Sequence, residues 1–424
     1  MSYNLATKTI TPNISLISAI LIHGSVEIPF FIFPAILLLV GENLFPNLGD
    51  LSWIGLGSLG TIGTLAAGLP SPLFGRLADK YHKGTLMLVS LIFAALGALI
   101  IGLFGESYLV MLLGVVLLGS SLALYHPAGL SWISTVFEDP KTQSFSSHYV
   151  RILAVHGIGG SVGSSIGPIS VFFLIDILTW RNIYLIWVIP LSLLAIVFWI
   201  LIGRHEPHSV EVPPISRQEE PIKGNNEIAA NNFQNSILLL TFIFIITMSL
   251  TRGMINFILA TFLSEVKNFE ISTAALYIGL SALIGSTGQV IGGIFGDKYG
   301  EKVVLSFTAV FQAVILIGIF IFNDNLVLLL LYILLGVMNA LFWPSTNSLV
   351  AKNSAKRGRA FGWVMLVANF VGALGPSIDG FLRGVDPNQY TLIFCFAIFF
   401  SICGFISFLF LKNSNTIKEK SYSI

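Results

Sequence analysis

The chain is 424 residues long, 55% hydrophobic and only 10% charged, with a formal net charge of +1. Soluble globular domains carry about 25% charged residues, so this composition excludes a soluble globular protein and places the chain in a lipid bilayer. The near-neutral balance, without a run of basic residues, excludes a nucleic-acid surface.

The polar start ends at Asn13, and the apolar segment after it has no cleavage signature, so it reads as a first spanning helix and not as a signal peptide. A span needs about 20 predominantly apolar residues, and twelve such runs occur. The first six are Ile14–Val40, Ser52–Leu73, Thr85–Phe104, Tyr108–Phe137, His148–Ile175 and Asn182–Gly203. The second six are Ser236–Ser264, Ser272–Ile294, Val303–Phe322, Leu326–Ala351, Arg359–Leu382 and Gln389–Leu411. Residues 1–203 are therefore expected to form an N-terminal six-helix bundle and residues 236–424 a C-terminal one with a short tail. Residues 204–235 between them, with Pro207, Pro213, Pro214 and Pro221, read as a flexible linker. His205 and His208 in that linker lack a carboxylate cage and read as solvated. Cys395 and Cys403 share one apolar run and read as core packing.

Lys and Arg accumulate in cytoplasmic loops. With the N-terminus inside, 18 of the 22 fall in the N-terminal segment, the cytoplasmic loops, the linker or the C-terminal tail. Arg181, Lys267 and Arg383 fall outside, and Arg252 lies within a span. Both termini are thus expected in the cytoplasm.

A short charged hairpin divides the chain into similar halves. Gly75-Arg76-Leu77-Ala78-Asp79-Lys80 interrupts two apolar runs, and Gly293-Ile294-Phe295-Gly296-Asp297-Lys298 repeats it 218 residues later. Glycine permits the tight backbone, the aspartate can cap a neighbouring helix and the basic residues hold one membrane face. Pro127 of the fourth span is matched by Pro344 of the tenth, and the Arg151-to-Pro168 spacing of the fifth returns as Arg359 to Pro376 in the eleventh. All four prolines are expected to kink their helices.

Ionisable groups inside a bilayer are costly and therefore candidate functional residues. His23 and Glu27 lie four apart on one face of the first span. A carboxylate at mid-depth whose charge depends on its neighbours can carry a proton; a structural hydrogen bond is the alternative. Arg252-Gly253-x-x-Asn256 in the seventh span matches His23-Gly24-x-x-Glu27 in spacing, so Arg252 and Asn256 are expected across a central cavity. There Arg252 either pairs with Glu27 or meets an anionic part of a substrate; a buried charge on backbone carbonyls is the bland alternative. Tyr125 and His126 precede Pro127 and, with His156, are candidates for the cavity wall, although a histidine there can equally be packing. Gly55-x-Gly57-x-x-Gly60 and Gly159-x-Ser161-x-Gly163 match nucleotide and nucleophile motifs, but no strand precedes either, so both read as helix-packing glycines. No nucleophile converges with a base and no metal-ligand cluster is visible, so neither an enzyme, a cofactor nor a metal is expected.

The paired hairpins resemble the signature loop of the major facilitator superfamily. The resemblance covers all twelve spans and implies an all-α membrane protein, with twelve transmembrane helices in two pseudo-symmetric six-helix bundles. His23-x-x-x-Glu27 followed by Pro34-Ala35, with Tyr125-His126-Pro127-Ala128, looks like the fosmidomycin-resistance branch, whose members resemble drug:proton antiporters; that branch usually has aspartate where Glu27 stands. Gly163-x-x-x-Gly167-Pro168 looks like the antiporter motif, with Ile169 to Phe172 replacing its trailing glycines. Trp180-Arg181 is familiar as an interfacial anchor. The expectation is a monomeric secondary transporter of the cell membrane, exporting small organic molecules in exchange for protons by alternating access. Glu27 and His23 would couple the proton. Arg252, Asn256, His126, Tyr125 and His156 would meet the substrate. Asp79, Arg76, Lys80, Asp297, Lys298, Arg151 and Arg359 would gate the cytoplasmic side. An uptake symporter or uniporter for a small organic acid or sugar is the alternative.

Overall fold

The computed structural model describes residues 11–137, 149–204, 225–352, 357–386 and 388–409, so His205 and His208 lie outside the described residues. Twelve helices among them are long and apolar enough to cross a membrane. They are α1 (Pro12–Ala35), α2 (Gly49–Lys80), α3 (Lys83–Phe104), α4 (Tyr108–Val136), α5 (Arg151–Leu174) and α6 (Trp180–Gly203), followed by α7 (Leu239–Glu265), α8 (Ile271–Tyr299), α9 (Glu301–Ile321), α10 (Asn325–Val350), α11 (Gly358–Val385) and α12 (Tyr390–Ser407). The helix containing α7 begins at Asn225, inside the stretch read as linker.

Local chemistry sets several boundaries. Pro12 occupies the first turn of α1, where its missing N–H costs nothing. The Thr179 hydroxyl accepts from the Asn182 N–H at the start of α6, and His82 Nδ1 accepts from the Thr85 N–H at the start of α3. Gly300, at φ +84°, ends α8 and opens α9 in a conformation that favours glycine.

The charged hairpins differ from their sequence reading. Helix continues to Lys80 and to Tyr299, so Arg76, Asp79, Asp297 and Lys298 sit on terminal helical turns and not in a loop. Pro127, Pro168 and Pro344 lie within helices that run on through them, whereas α11 is interrupted at Ala373, just before Pro376. Pro127 has no N–H for the carbonyl of Ala123 one turn earlier; the Ser71 hydroxyl of α2 lies 3.4 Å from that carbonyl and 3.0 Å from the Ala67 carbonyl, which share its one proton.

Helix crossings repeat between the halves. Gly24 of α1 lies on Gly159 and Gly163 of α5; Gly253 of α7 lies on Gly372 and Gly375 of α11. A Cβ at Gly24 would come within 2.8 Å of the Gly159 carbonyl oxygen, so backbone meets backbone at both crossings. The residue before each of these glycines, His23 or Arg252, is thereby set at the molecular centre. The six-helix halves meet along two seams, α2 against α11 and α5 against α8.

Candidate functional site

Between the halves lies a cavity of about 350 Å³, walled by α1, α2, α4, α5, α7, α8, α10 and α11. His23, Glu27, His126, His156, Arg252 and Asn256 all line it. Glu27 Oε1 lies 3.6 Å from His23 Nε2 and 3.4 Å from His126 Nε2. The backbone carbonyl of His156 lies 3.4 Å from His23 Nδ1. A carbonyl only accepts, so Nδ1 carries the hydrogen, and Nε2 of a neutral His23 turns a lone pair toward the carboxylate. The pair is attractive only with an additional proton, on the imidazole or on the carboxyl.

Tyr125 corrects the sequence reading, since it is fully buried behind the histidines and does not line the cavity. Its single hydroxyl proton goes to the Ala19 carbonyl at 2.5 Å, and the same oxygen lies 2.9 Å from His156 Nε2, from which it accepts. The His23 ring packs against both Tyr125 and His156, at centroid distances of 5.1 and 4.8 Å, and those two rings lie 6.2 Å from each other. Tyr125 therefore orients two histidines without reaching the cavity.

Arg252 faces this cluster from α7, within electrostatic reach of Glu27. Its guanidinium carbon lies 5.3 Å from the Trp343 ring centroid and 5.8 Å from that of Phe342, and its Nε is buried without a partner. Glu27 is thus held by histidines and not by the arginine. Trp343, Gln289, Asn339 and Asn369 also line the cavity; sequence reasoning missed them because amides and indoles inside apolar runs carry no charge to betray them.

The ligand atoms of His23, Glu27 and His126 lie within 4.8 Å of one another, a spacing that a divalent cation could also bridge. The sequence expectation of no metal cluster thus did not foresee this grouping, which unites α1 with α4.

At one end of the molecule the halves are latched by charge. Asp79 of α2 accepts from the backbone N–H groups of Gly358 (3.0 Å) and Arg359 (3.1 Å) at the start of α11. This is an N-cap supplied by the other half. In the matching position Arg151 Nε of α5 lies 3.0 Å from Asp297 Oδ2 of α8. At the opposite end Arg383 of α11 is fully buried: it donates to Glu265 and to Thr261, and its guanidinium carbon lies 3.5 Å over the Trp53 ring of α2.

The sequence matches the family model described as "Major Facilitator Superfamily" over residues 15–376 and 241–422. It is 26% identical over 365 residues to a "Multi-drug resistance efflux pump PmrA homolog" of Lactococcus lactis, covering 84% of this chain and 85% of that protein. It is 24% identical over 367 residues to the "Fosmidomycin resistance protein" of Escherichia coli, covering 84% of each. Among solved structures, the human organic anion transporter MFSD10 (TETRAN) superposes with a TM-score of 0.67 at 15% identity, over 95% of this chain and all of that one. The nucleoside transporter NupG superposes with a TM-score of 0.62 at 18% identity, over 93% of this chain and all of that one. With a family model spanning nearly the whole sequence and solved transporters of that fold superposing on both halves, the chain belongs to the Major Facilitator Superfamily.

Proposed function

We propose that this transporter exports small organic molecules in exchange for protons, with Glu27 and His23 carrying the proton and His126 completing the site. The observation that carries the reading is Glu27, set between two imidazoles on the cavity wall in a geometry that needs one more proton than the neutral rings supply. Arg252, with no anionic partner among the described residues, is free to receive an anionic or polar group of the substrate, and Trp343 beside it offers an aromatic face. The relatives named for multidrug efflux and fosmidomycin resistance support export over uptake. A proton on the Glu27 cluster and substrate beside Arg252 would alternate, so that each event resets the other as the halves rock.

In this scheme both termini are cytoplasmic, as the distribution of Lys and Arg supports, and the protein acts as a monomer in the cell membrane. The Asp79 and Arg151–Asp297 latches then close the cytoplasmic side. The test uses acid-loaded inside-out vesicles containing the full-length protein, challenged with fosmidomycin and a panel of organic drugs. A substrate should release protons from wild-type vesicles and none from Glu27→Gln vesicles, with or without a chelator. Undiminished release from Glu27→Gln would overturn the proton site. Loss of release on chelation would reassign the cluster to a cation.

A further inference from the structure

The end of the molecule opposite the latches holds an ionisable group that the scheme above does not use. Asp379 of α11 has no exposed surface, and neither of its carboxylate oxygens has a hydrogen-bond partner. It lies six residues before the end of α11, roughly 9 Å along the helix axis, where α11 crosses α2 at minimal separation. A Cβ at Gly57 would lie 2.6 Å from the Pro376 carbonyl oxygen, and one at Gly380 2.6 Å from that of Trp53. Thr61 and Ser377 join the same seam through a 2.6 Å hydroxyl pair.

Every element packed around Asp379 presents an identifiable set of charges. From α11 itself comes Arg383, one turn on and on the same face, whose charge acts on Asp379. From α7 comes Glu265, which holds Arg383. From α12 comes Tyr390, whose hydroxyl donates to the same Glu265 oxygen at 2.7 Å. α2 brings the Trp53 ring over Arg383 and, at its start, the exposed Asp50 beside Gly384. Arg383 is thus committed to Glu265, and Asp379 is sealed from water with no donor. An ionised carboxylate so placed has neither solvation nor hydrogen bonds to offset its burial.

We propose that Asp379 is a second proton-binding site, which holds its proton while α2 and α11 are closed together and releases it to water when they part at this end. On opening, the freed carboxylate gains hydration and Arg383 as a counter-ion one turn away. Re-closing requires a proton from the side to which this end opens. The inference rests on the carrier reading, and in the orientation given above that side is the exterior, so external acid drives the outer seam shut.

The test uses the full-length chain in nanodiscs without substrate, with both native cysteines replaced by serine and spin labels at Ile54→Cys on α2 and Val385→Cys on α11, both exposed positions. Glu27→Gln is present throughout, which removes the central carboxylate from the titration. The ratio of the population at the longer separation to that at the shorter should rise by about tenfold per pH unit through its transition. Adding Asp379→Asn or Asp379→Ser should hold the short separation at every pH, with thermal stability at low pH undiminished for the isosteric Asn variant. Distances that still shift in those variants would assign the titration to His23, His126 or His156, and a pH-independent background would show that Asp379 exchanges no proton. Loss of stability in Asp379→Asn at low pH would make Asp379 a fixed partner of Arg383. Each of these overturns the proposal. The distances are read without substrate or gradient, so failure here leaves the vesicle result on Glu27 standing, and the reverse holds.

Discussion

In the proposed exchange, Glu27 is the residue on which proton coupling turns, and Arg252 the one on which substrate selection turns. Replacing Arg252 with lysine keeps the charge but removes the planar fork of donors. Uptake into inside-out vesicles is expected to fall roughly ten- to hundredfold, the equivalent of one charge-assisted hydrogen bond of about 1.5–3 kcal/mol; full activity would show that a point charge suffices. Tyr125→Phe removes the hydroxyl that joins the Ala19 carbonyl to His156. It should cost about 1–3 kcal/mol in thermal unfolding, because a buried donor and acceptor lose their partner, while leaving Arg252-dependent selectivity intact. Glu27 and Arg252 were legible because a charge in an apolar run stands out. Tyr125 was misread because sequence places it next to His126 while the helix turns the two side chains apart. Asp379 went unread although its span was recognised, since an acid three residues before Leu382 is easily taken for the span's edge. The Asp379-x-x-x-Arg383 spacing was the available signal.

Glycine decides how closely the elements approach. Gly24→Ala and Gly253→Ala each thrust a methyl group at a facing backbone that cannot rotate away, and each should lower stability by about 1–3 kcal/mol in denaturation of the purified protein. Gly49→Ala, where a Cβ would meet nothing but φ is +49°, separates backbone strain from crowding and should cost only about 1 kcal/mol. The sequence match between His23-Gly24-x-x-Glu27 and Arg252-Gly253-x-x-Asn256 made the α1/α7 correspondence legible; which helices those glycines would face was not, because partners are chosen by packing across the whole bundle. The basic residues that broke the orientation rule are informative in retrospect. Arg181 pairs with Glu106 at 2.7 Å, Lys267 donates to the carbonyls of Phe320 and Phe322 at the end of α9, and Arg383 is tied to Glu265. Partial burial there holds the Lys267 ammonium below the ordinary lysine range. Each has a fixed local partner, so its position reflects a bond and not topology.

For the molecule as a whole, the proposed cycle requires the latched end and the crossed α2–α11 seam to part in turn. Asp79→Asn retains one acceptor oxygen where two amides are bound, so it should loosen the latched end and raise the rate at which cysteines placed in the cavity react from that side. Equal rates in variant and wild type would remove Asp79 from gating. Reversing Arg151 and Asp297 together should restore what either reversal alone loses. The number of spans and the two-fold division were legible from apolar run lengths and the repeated hairpin, because lipid imposes both. The helical extension of the hairpins was not, since a charged segment looks alike whether it ends a helix or follows one, whereas an aspartate able to cap a neighbouring helix was legible there, and Asp79 does so at the start of α11. Because Asp79 grips main-chain amides, most side chains at the start of α11 are free to drift without touching the latch. The exception is the position that has no side chain: a methyl group at Gly358 would collide with the Asp79 carboxylate itself. Within the latch, that glycine is therefore the position a resistance screen or a redesign should find hard to replace.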